Sequence, residues 1–183
     1  MNNWENHNPE EISQLVKDSL LKAAELEAKL NDLNCPRLSD LYLKEEGKNR
    51  FRQVKLFNEL RYEANNENEF KGLYVFAKEI EGIITPVYVG RSRTVFRRLR
   101  QHGWGKEHNE CTLAYRFAKR EYHKNNIKVK RKDVTQKELE FGREMVQNFK
   151  VALIPVPKDY DLYLLEVLLA GYWKTKWNSF RTH

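Results

Sequence analysis

Seven side chains have the types and spacing to act on a phosphodiester. Two short segments read Gly72-Leu73-Tyr74 and Tyr88-Val89-Gly90, and Arg91, Arg98 and His102 follow the second. Far downstream a lone acid, Glu166, sits in an apolar stretch, and Asn178 comes twelve residues later. Hydrolysis at phosphorus needs an activated water, neutralised charge on the phosphoryl oxygens and help for the leaving oxygen. Phenols and an imidazole can move protons, guanidinium groups suit phosphate, and a carboxylate suits a divalent cation.

Each residue also has an ordinary role. The eight neighbours of Glu166, residues 162–165 and 167–170, are all apolar or aromatic. A carboxylate among them is costly to bury unless paired or metal-bound. It could equally lie on the one wet stripe of its helix, or pair with an arginine. Tyrosines on strands, such as Tyr74 and Tyr88, are ordinarily packing residues. His102 can serve as a cation at a helix C-terminus, and Asn178 as a turn or cap residue. Arg91, Arg93, Arg97, Arg98 and Arg100 put five arginines into ten residues without an acid. Surfaces that are merely soluble mix signs, so such a cluster suits phosphate.

In this order the residues resemble the GIY-YIG nuclease family. Gly72-Leu73-Tyr74 matches its first signature triplet with Leu for the central Ile, and Tyr88-Val89-Gly90 matches the second with Val for Ile. Arg91 stands where the family has a basic residue three after the second Tyr, and Arg98 where it has an Arg ten after it. His102 stands for the Tyr or His four further on, and Glu166 and Asn178 for the closing metal-binding Glu and the Asn about twelve beyond. The resemblance runs from about Lys71 to Asn178, leaves residues 1–70 unaccounted for, and contains a longer stretch between His102 and Glu166 than the minimal family domain.

The resemblance implies an α+β fold, with a small three-stranded, mostly antiparallel sheet flanked by helices. It implies one divalent ion per active site, Mg2+ or Mn2+, held by Glu166 against the scissile phosphate. Arg98 would stabilise the phosphate charge, and Tyr74 would be the general base. A free phenol titrates near pH 10, so Tyr74 needs nearby positive charge, and Arg91 is the candidate to supply it. Tyr88 and His102 would orient water or phosphate, with His102 a rival for the base role, and Asn178 would support the geometry.

The elements that must position these residues follow from patterning. Asn8 can cap a helix that opens at Pro9, and Ile12, Val16, Leu20, Ala23, Leu26, Leu30 and Leu33 recur at helical spacing until Asn34-Cys35-Pro36. A second helical stretch is expected from about Leu38 to Ala64, weakened near Gly47. Two alternating segments around Val75 and Val89 read as strands joined at Glu81-Gly82, with Tyr74 and Tyr88 on one face. A short helix capped by Ser92 or Thr94 should end at His102, with Gly103 as its stop. Residues 110–125 and 135–148 read as helices, 151–156 as a buried strand with Pro155 near its end, and 158–173 as the last helix.

Residues 1–70 hold 10 Lys and Arg against 14 Asp and Glu, and residues 71–183 hold 23 against 12, within a net charge of +7. A basic body with a mildly acidic extension fits a polyanion partner for the body. The expected organisation is an N-terminal helical extension over 1–70, serving as an arm or dimer element. A nuclease-like domain follows over 71–183, with a basic helical insertion at about 104–148. Arg93, Arg97, Arg116, Lys119, Arg120, Lys128, Lys130, Arg131 and Lys132 are the candidate DNA contacts, with a solvated surface as the equal alternative. No signal segment, membrane-length apolar run or lipidation motif is present, so a cytoplasmic protein with no membrane partner is expected.

The sequence contains two other patterns with metal-binding residue types. His102, His108, Cys111 and His123 match no standard zinc spacing. Asp40 with Glu46-Gly47-Lys48 mimics another nuclease signature but lies in a polar, acidic stretch without flanking strands. Three function classes stand: a site-specific endonuclease of type II restriction kind acting on double-stranded DNA as a homodimer, a homing or repair endonuclease, and a catalytically dead nucleic-acid-binding module.

Overall fold

The computed structural model describes residues 9–45, 48–51, 69–107, 109–124, 126, 128–178 and 180. Among these residues five α-helices and five strands follow one another in the order α1 (Pro9–Asn31), β1 (Tyr42–Glu45), β2 (Lys48–Phe51), β3 (Gly72–Ile80), β4 (Ile83–Ser92), α2 (Val95–Trp104), α3 (Thr112–His123), α4 (Gln136–Gln147), β5 (Lys150–Pro155) and α5 (Asp159–Tyr172). The fold is α+β, and its principal sheet is wholly antiparallel, in the order β4-β3-β5. No described helix is long and apolar enough to cross a membrane.

The chain gathers into two compact units. One comprises Met1–Cys35, Lys55–Val95 and Lys150–His183, and the other Pro36–Val54 and Phe96–Phe149. The described part of residues 1–70 is thus shared between them. Helix α1 belongs to the sheet unit, where Leu15, Ala23, Leu26 and Leu30 join its core. Ala23, Leu26 and Leu30 fall where the helical period puts them, but Val16, Leu20 and Leu33 are exposed. The inward stripe takes in Leu15 instead.

In the sheet unit, Leu73, Val75, Ala77 and Val89 point to one face and pack with Ala152, Ile154 and the α5 residues Leu162, Leu165 and Leu169. Strand alternation sets Tyr74, Phe76 and Tyr88 on the other face. Burying one face of a sheet this small under two helices is what gives it stability beyond that of a hairpin. Beyond α5, the C-terminal segment returns to the outer side of β4. Trp177 donates its backbone N–H to the Val87 carbonyl.

The second unit rests on the antiparallel contact of α3 and α4. Gly142 sits where a Cβ would come within 2.0 Å of the Ala114 carbonyl oxygen, so the two helix backbones touch there. Thr135 and Glu138 close a reciprocal cap at the start of α4, which fixes where that helix begins. Leu38 and Leu41 are buried in a short 3-10 turn, and Leu38 N–H donates to the Phe149 carbonyl.

Two expectations are corrected here. From Leu38 to Phe51 the described residues of the stretch do not form the expected α-helix. They form the 3-10 turn followed by a hairpin, β1 with β2, in register from Tyr42↔Phe51 to Glu45↔Lys48. Two residues separate the last pair, and a glycine at such a spot is a hairpin signal that outweighs weak apolar periodicity. Residues 52–64 of that stretch lie outside the described residues, as do Asn8 and the polar stretch Asn65-Asn66-Glu67-Asn68, where a linker is expected. Gly103 does not stop α2, which runs on to Trp104. The lack of a side chain there serves close packing, with the Leu38 side chain at 3.1 Å from a Cβ position. Gln147 donates to the Gly103 carbonyl at 2.7 Å.

Candidate active site

The two signature glycines are demanded by the sheet. Tyr74 pairs with Gly90 across β3 and β4, and its ring lies flat against that glycine. A Cβ on residue 90 would fall 2.2 Å from Tyr74 Cζ. Gly72 faces β5 in the same way, with the Ile154 carbonyl oxygen 2.2 Å from a Cβ position. Real Cβ atoms do not approach so closely, so another residue at 72 would have to displace the Ile154 backbone and one at 90 the buried Tyr74 ring.

A bulge puts the two phenols on one face. The turn at Glu81-Gly82 pairs Ile80 with Ile83, and continuing that register would set Tyr88 opposite Val75, on the core side. The pairing shifts by one residue between Phe76 and Ala77, so Tyr88 comes opposite Phe76 instead. Tyr74 and Tyr88 then lie with ring centroids 6.2 Å apart, and Phe76 stacks on Tyr88 at 6.1 Å. Tyr74 is buried, at 1% exposure.

Arg91 and Glu166 meet on the opposite, helix-covered side. Arg91 ends β4 in register with Leu73, and its Nε donates to Glu166 Oε2 at 2.7 Å. The Arg91 guanidinium carbon stands 3.4 Å from the ring centroid of Tyr163, three residues before Glu166 on α5. The ion pair is partly sheltered, with side-chain exposures of 31% for Arg91 and 17% for Glu166. Burial pushes the Glu166 carboxyl up, and the Arg91 charge and hydrogen bond pull it back only in part. Tyr163 was not among the expected residues, although its helical spacing from the acid carried the signal.

Asn178 holds β4 from outside. Its side-chain oxygen accepts from Val89 N–H at 2.8 Å and its amide donates to Val89 O at 2.7 Å. Thr175 Oγ1 donates to the same oxygen at 2.8 Å and fixes which way the amide points. Val89 is the centre of the second triplet, so Asn178 braces the motif.

The remaining expected residues are placed as follows. Arg93, in the sheet unit, forms a two-pronged pair with Asp159, with Nη2 at 2.7 Å, and Lys71 reaches the same carboxylate at 2.8 Å. Both cations pull the Asp159 carboxyl down. In the second unit, Arg98 donates to the Glu110 carbonyl at 2.9 Å and braces the loop that precedes α3. His102 is 1% exposed. Burial, and secondarily Arg98, pushes its imidazole well below the ordinary value, so it is neutral. Lys119 donates to the Val129 carbonyl at 3.0 Å, tying α3 to the basic loop. Arg97, Arg120, Lys128, Lys130 and Lys132 are exposed, Arg116 is half-buried, and the Arg131 side chain lies outside the described residues.

Among the described residues no group of three or more His, Cys, Asp or Glu side chains could hold a metal ion. His102, Cys111 and His123 form no such group, and His108 lies outside the described residues. His123 pairs with Glu138 at 3.2 Å, and the buried Cys111 thiol is turned to the Glu107 carbonyl. Asp40 accepts from Arg37 N–H, and Glu46 and Gly47 are outside the described residues. A single carboxylate still fits a hard divalent ion that keeps most of its waters and takes phosphate oxygens as further ligands. Glu166 Oε1 accepts no hydrogen bond among the described residues, which leaves that oxygen available as a ligand. No family model, curated protein or solved structure matches the chain.

Proposed function

We propose that this chain is a divalent-metal-dependent endonuclease that hydrolyses phosphodiester bonds in double-stranded DNA, as a restriction-type enzyme. The observation that carries the reading is the Arg91–Glu166 pair, set directly behind Tyr88-Val89-Gly90 at the end of the edge strand. It joins a phosphate-type cation to a carboxylate that an apolar helix would otherwise exclude. The glycines beneath and beside Tyr74 support it further, since the sheet demands them where the motif has them.

Mg2+ or Mn2+ on Glu166 would supply Lewis acidity at the phosphate and the leaving oxygen. Arg91 would offer its guanidinium to a non-bridging phosphate oxygen. Asn178 keeps Val89, and so the backbone between Tyr88 and Gly90, in place. Tyr74, buried on the other face of the sheet from Arg91, and His102, buried in the helical unit, are the two groups that the resemblance implies for proton transfer. Comparing Tyr74→Phe with His102→Ala in single-turnover cleavage decides between them. Symmetric cutting with one site per chain would favour a homodimer. The homing or repair class remains as the variant of the same chemistry.

A second reading has its own observation. Glu166 is already neutralised by Arg91, as a purely structural ion pair would be, and that favours a nucleic-acid-binding module without catalysis. Incubating plasmid DNA with the protein and Mg2+ separates the readings. Discrete fragments that disappear with Glu166→Gln, by about a thousandfold in rate, are expected. Retarded but intact DNA would give the second reading the field.

A further inference from the structure

The Arg91–Glu166 pair also determines how a metal could arrive, an argument that rests on the nuclease reading. Glu166 belongs to no group of three or more His, Cys, Asp or Glu side chains that could hold a cation among the described residues. One of its oxygens is held by Arg91 Nε at 2.7 Å. The guanidinium lies over the Tyr163 ring and spends only its Nε edge on the protein. Its Nη1 and Nη2 groups make no hydrogen bond among the described residues, and the side chain keeps 31% of its exposure. That free edge has the fork geometry that takes two oxygens of a phosphate.

We propose that Arg91 is the resident counter-cation of Glu166, and that a divalent ion and a phosphodiester bind to this pair as a coupled couple. A metal ion alone meets a carboxylate whose charge is already matched by a guanidinium. An anion alone meets a guanidinium matched by a carboxylate. When both bind, the phosphate satisfies Arg91 and the metal satisfies Glu166, and the charges balance again. The coupling is reciprocal, so each ligand raises the affinity of the other by the same factor. Tyr163 is a positioning residue here, holding the guanidinium plane so that its free edge stays turned outward.

The test uses the full chain and needs no knowledge of the DNA sequence it cuts. Mn2+ binding is followed by the paramagnetic resonance of the free ion, with dimethyl phosphate as the smallest phosphodiester. Wild-type protein should bind Mn2+ weakly alone, and about tenfold more tightly with saturating dimethyl phosphate. Arg91→Met should bind Mn2+ about tenfold more tightly than wild type without the diester, gain nothing from adding it, and lose that affinity when Glu166→Gln is combined with it. Equal Mn2+ affinities for wild type and Arg91→Met, with no effect of the diester, overturn the proposal. If Arg91→Met does not fold, the Arg91 Nε–H resonance of the wild type decides. It should stay in place with Mg2+ alone and move with Mg2+ plus dimethyl phosphate. Displacement by Mg2+ alone overturns the coupling. DNA cleavage with uncoupled ligands would sink this inference and leave the nuclease reading standing, whereas coupled ligands without cleavage would do the reverse.

Discussion

Two arginines seven positions apart, Arg91 in the sheet unit and Arg98 in the helical one, are used in opposite ways. Arg91 is matched by a carboxylate and an aromatic face, on side chains that are partly exposed. Arg98 is spent on the Glu110 backbone carbonyl, and beside it His102 is forced neutral. The first arrangement keeps charge in exchangeable form, and the second turns charge into loop architecture. The same residue type in one arginine-rich segment therefore says little until its acceptors are known.

The contrast can be broken at four points. The largest effect should come from Gly142→Ala in the helical unit, where the new methyl would strike the Ala114 backbone. We expect a loss of about 3 kcal/mol or more in chemical denaturation. Next comes acid. His102 is neutral when folded and takes a proton when unfolded below about its ordinary value of 6.5. Its depressed folded value means the stability it lends is complete above that pH and falls as pH drops. Stability should fall as pH drops from 7 to 5, and His102→Gln should show a flatter dependence. If wild type and variant have the same slope, the imidazole is not held neutral.

In the sheet unit the effects should be smaller. Asn178→Ala removes two hydrogen bonds to Val89 and should cost about 1.5 kcal/mol, with amide exchange quickened at Val89. Tyr163→Ala removes a stacking face that is 51% exposed and should cost about 0.5 kcal/mol. A cost several times larger would mean that Tyr163 is a core residue and that the guanidinium is not exchangeable.

Much of the sheet was legible in the sequence because its signals are local. Val75 and Val89 lie in alternating runs, and Glu81-Gly82 has the positive backbone φ that such a turn needs. The bulge left one trace, Pro86, since proline within a strand belongs at an edge or a bulge. The β1–β2 hairpin was hidden by the leucines at 38 and 41, which mimic a helical stripe while serving a 3-10 turn. The meeting of Arg91 with Glu166 joins residues 75 apart in the chain, and no local pattern encodes such a contact. The same holds for Tyr88 sharing a face with Tyr74, which depends on a one-residue shift in register.

The Asn178 amide has one further consequence. Strand β4 ends the sheet, and an open rim of N–H and C=O groups is a template on which another extended chain can stack. At Val89 both groups are already occupied by a side chain shaped like a peptide unit, and at Val87 the carbonyl is taken by Trp177. An incoming strand would have to evict them first. The chain thus carries, in two residues near its end, its own guard against fibre-like association through the strand that bears the second glycine motif.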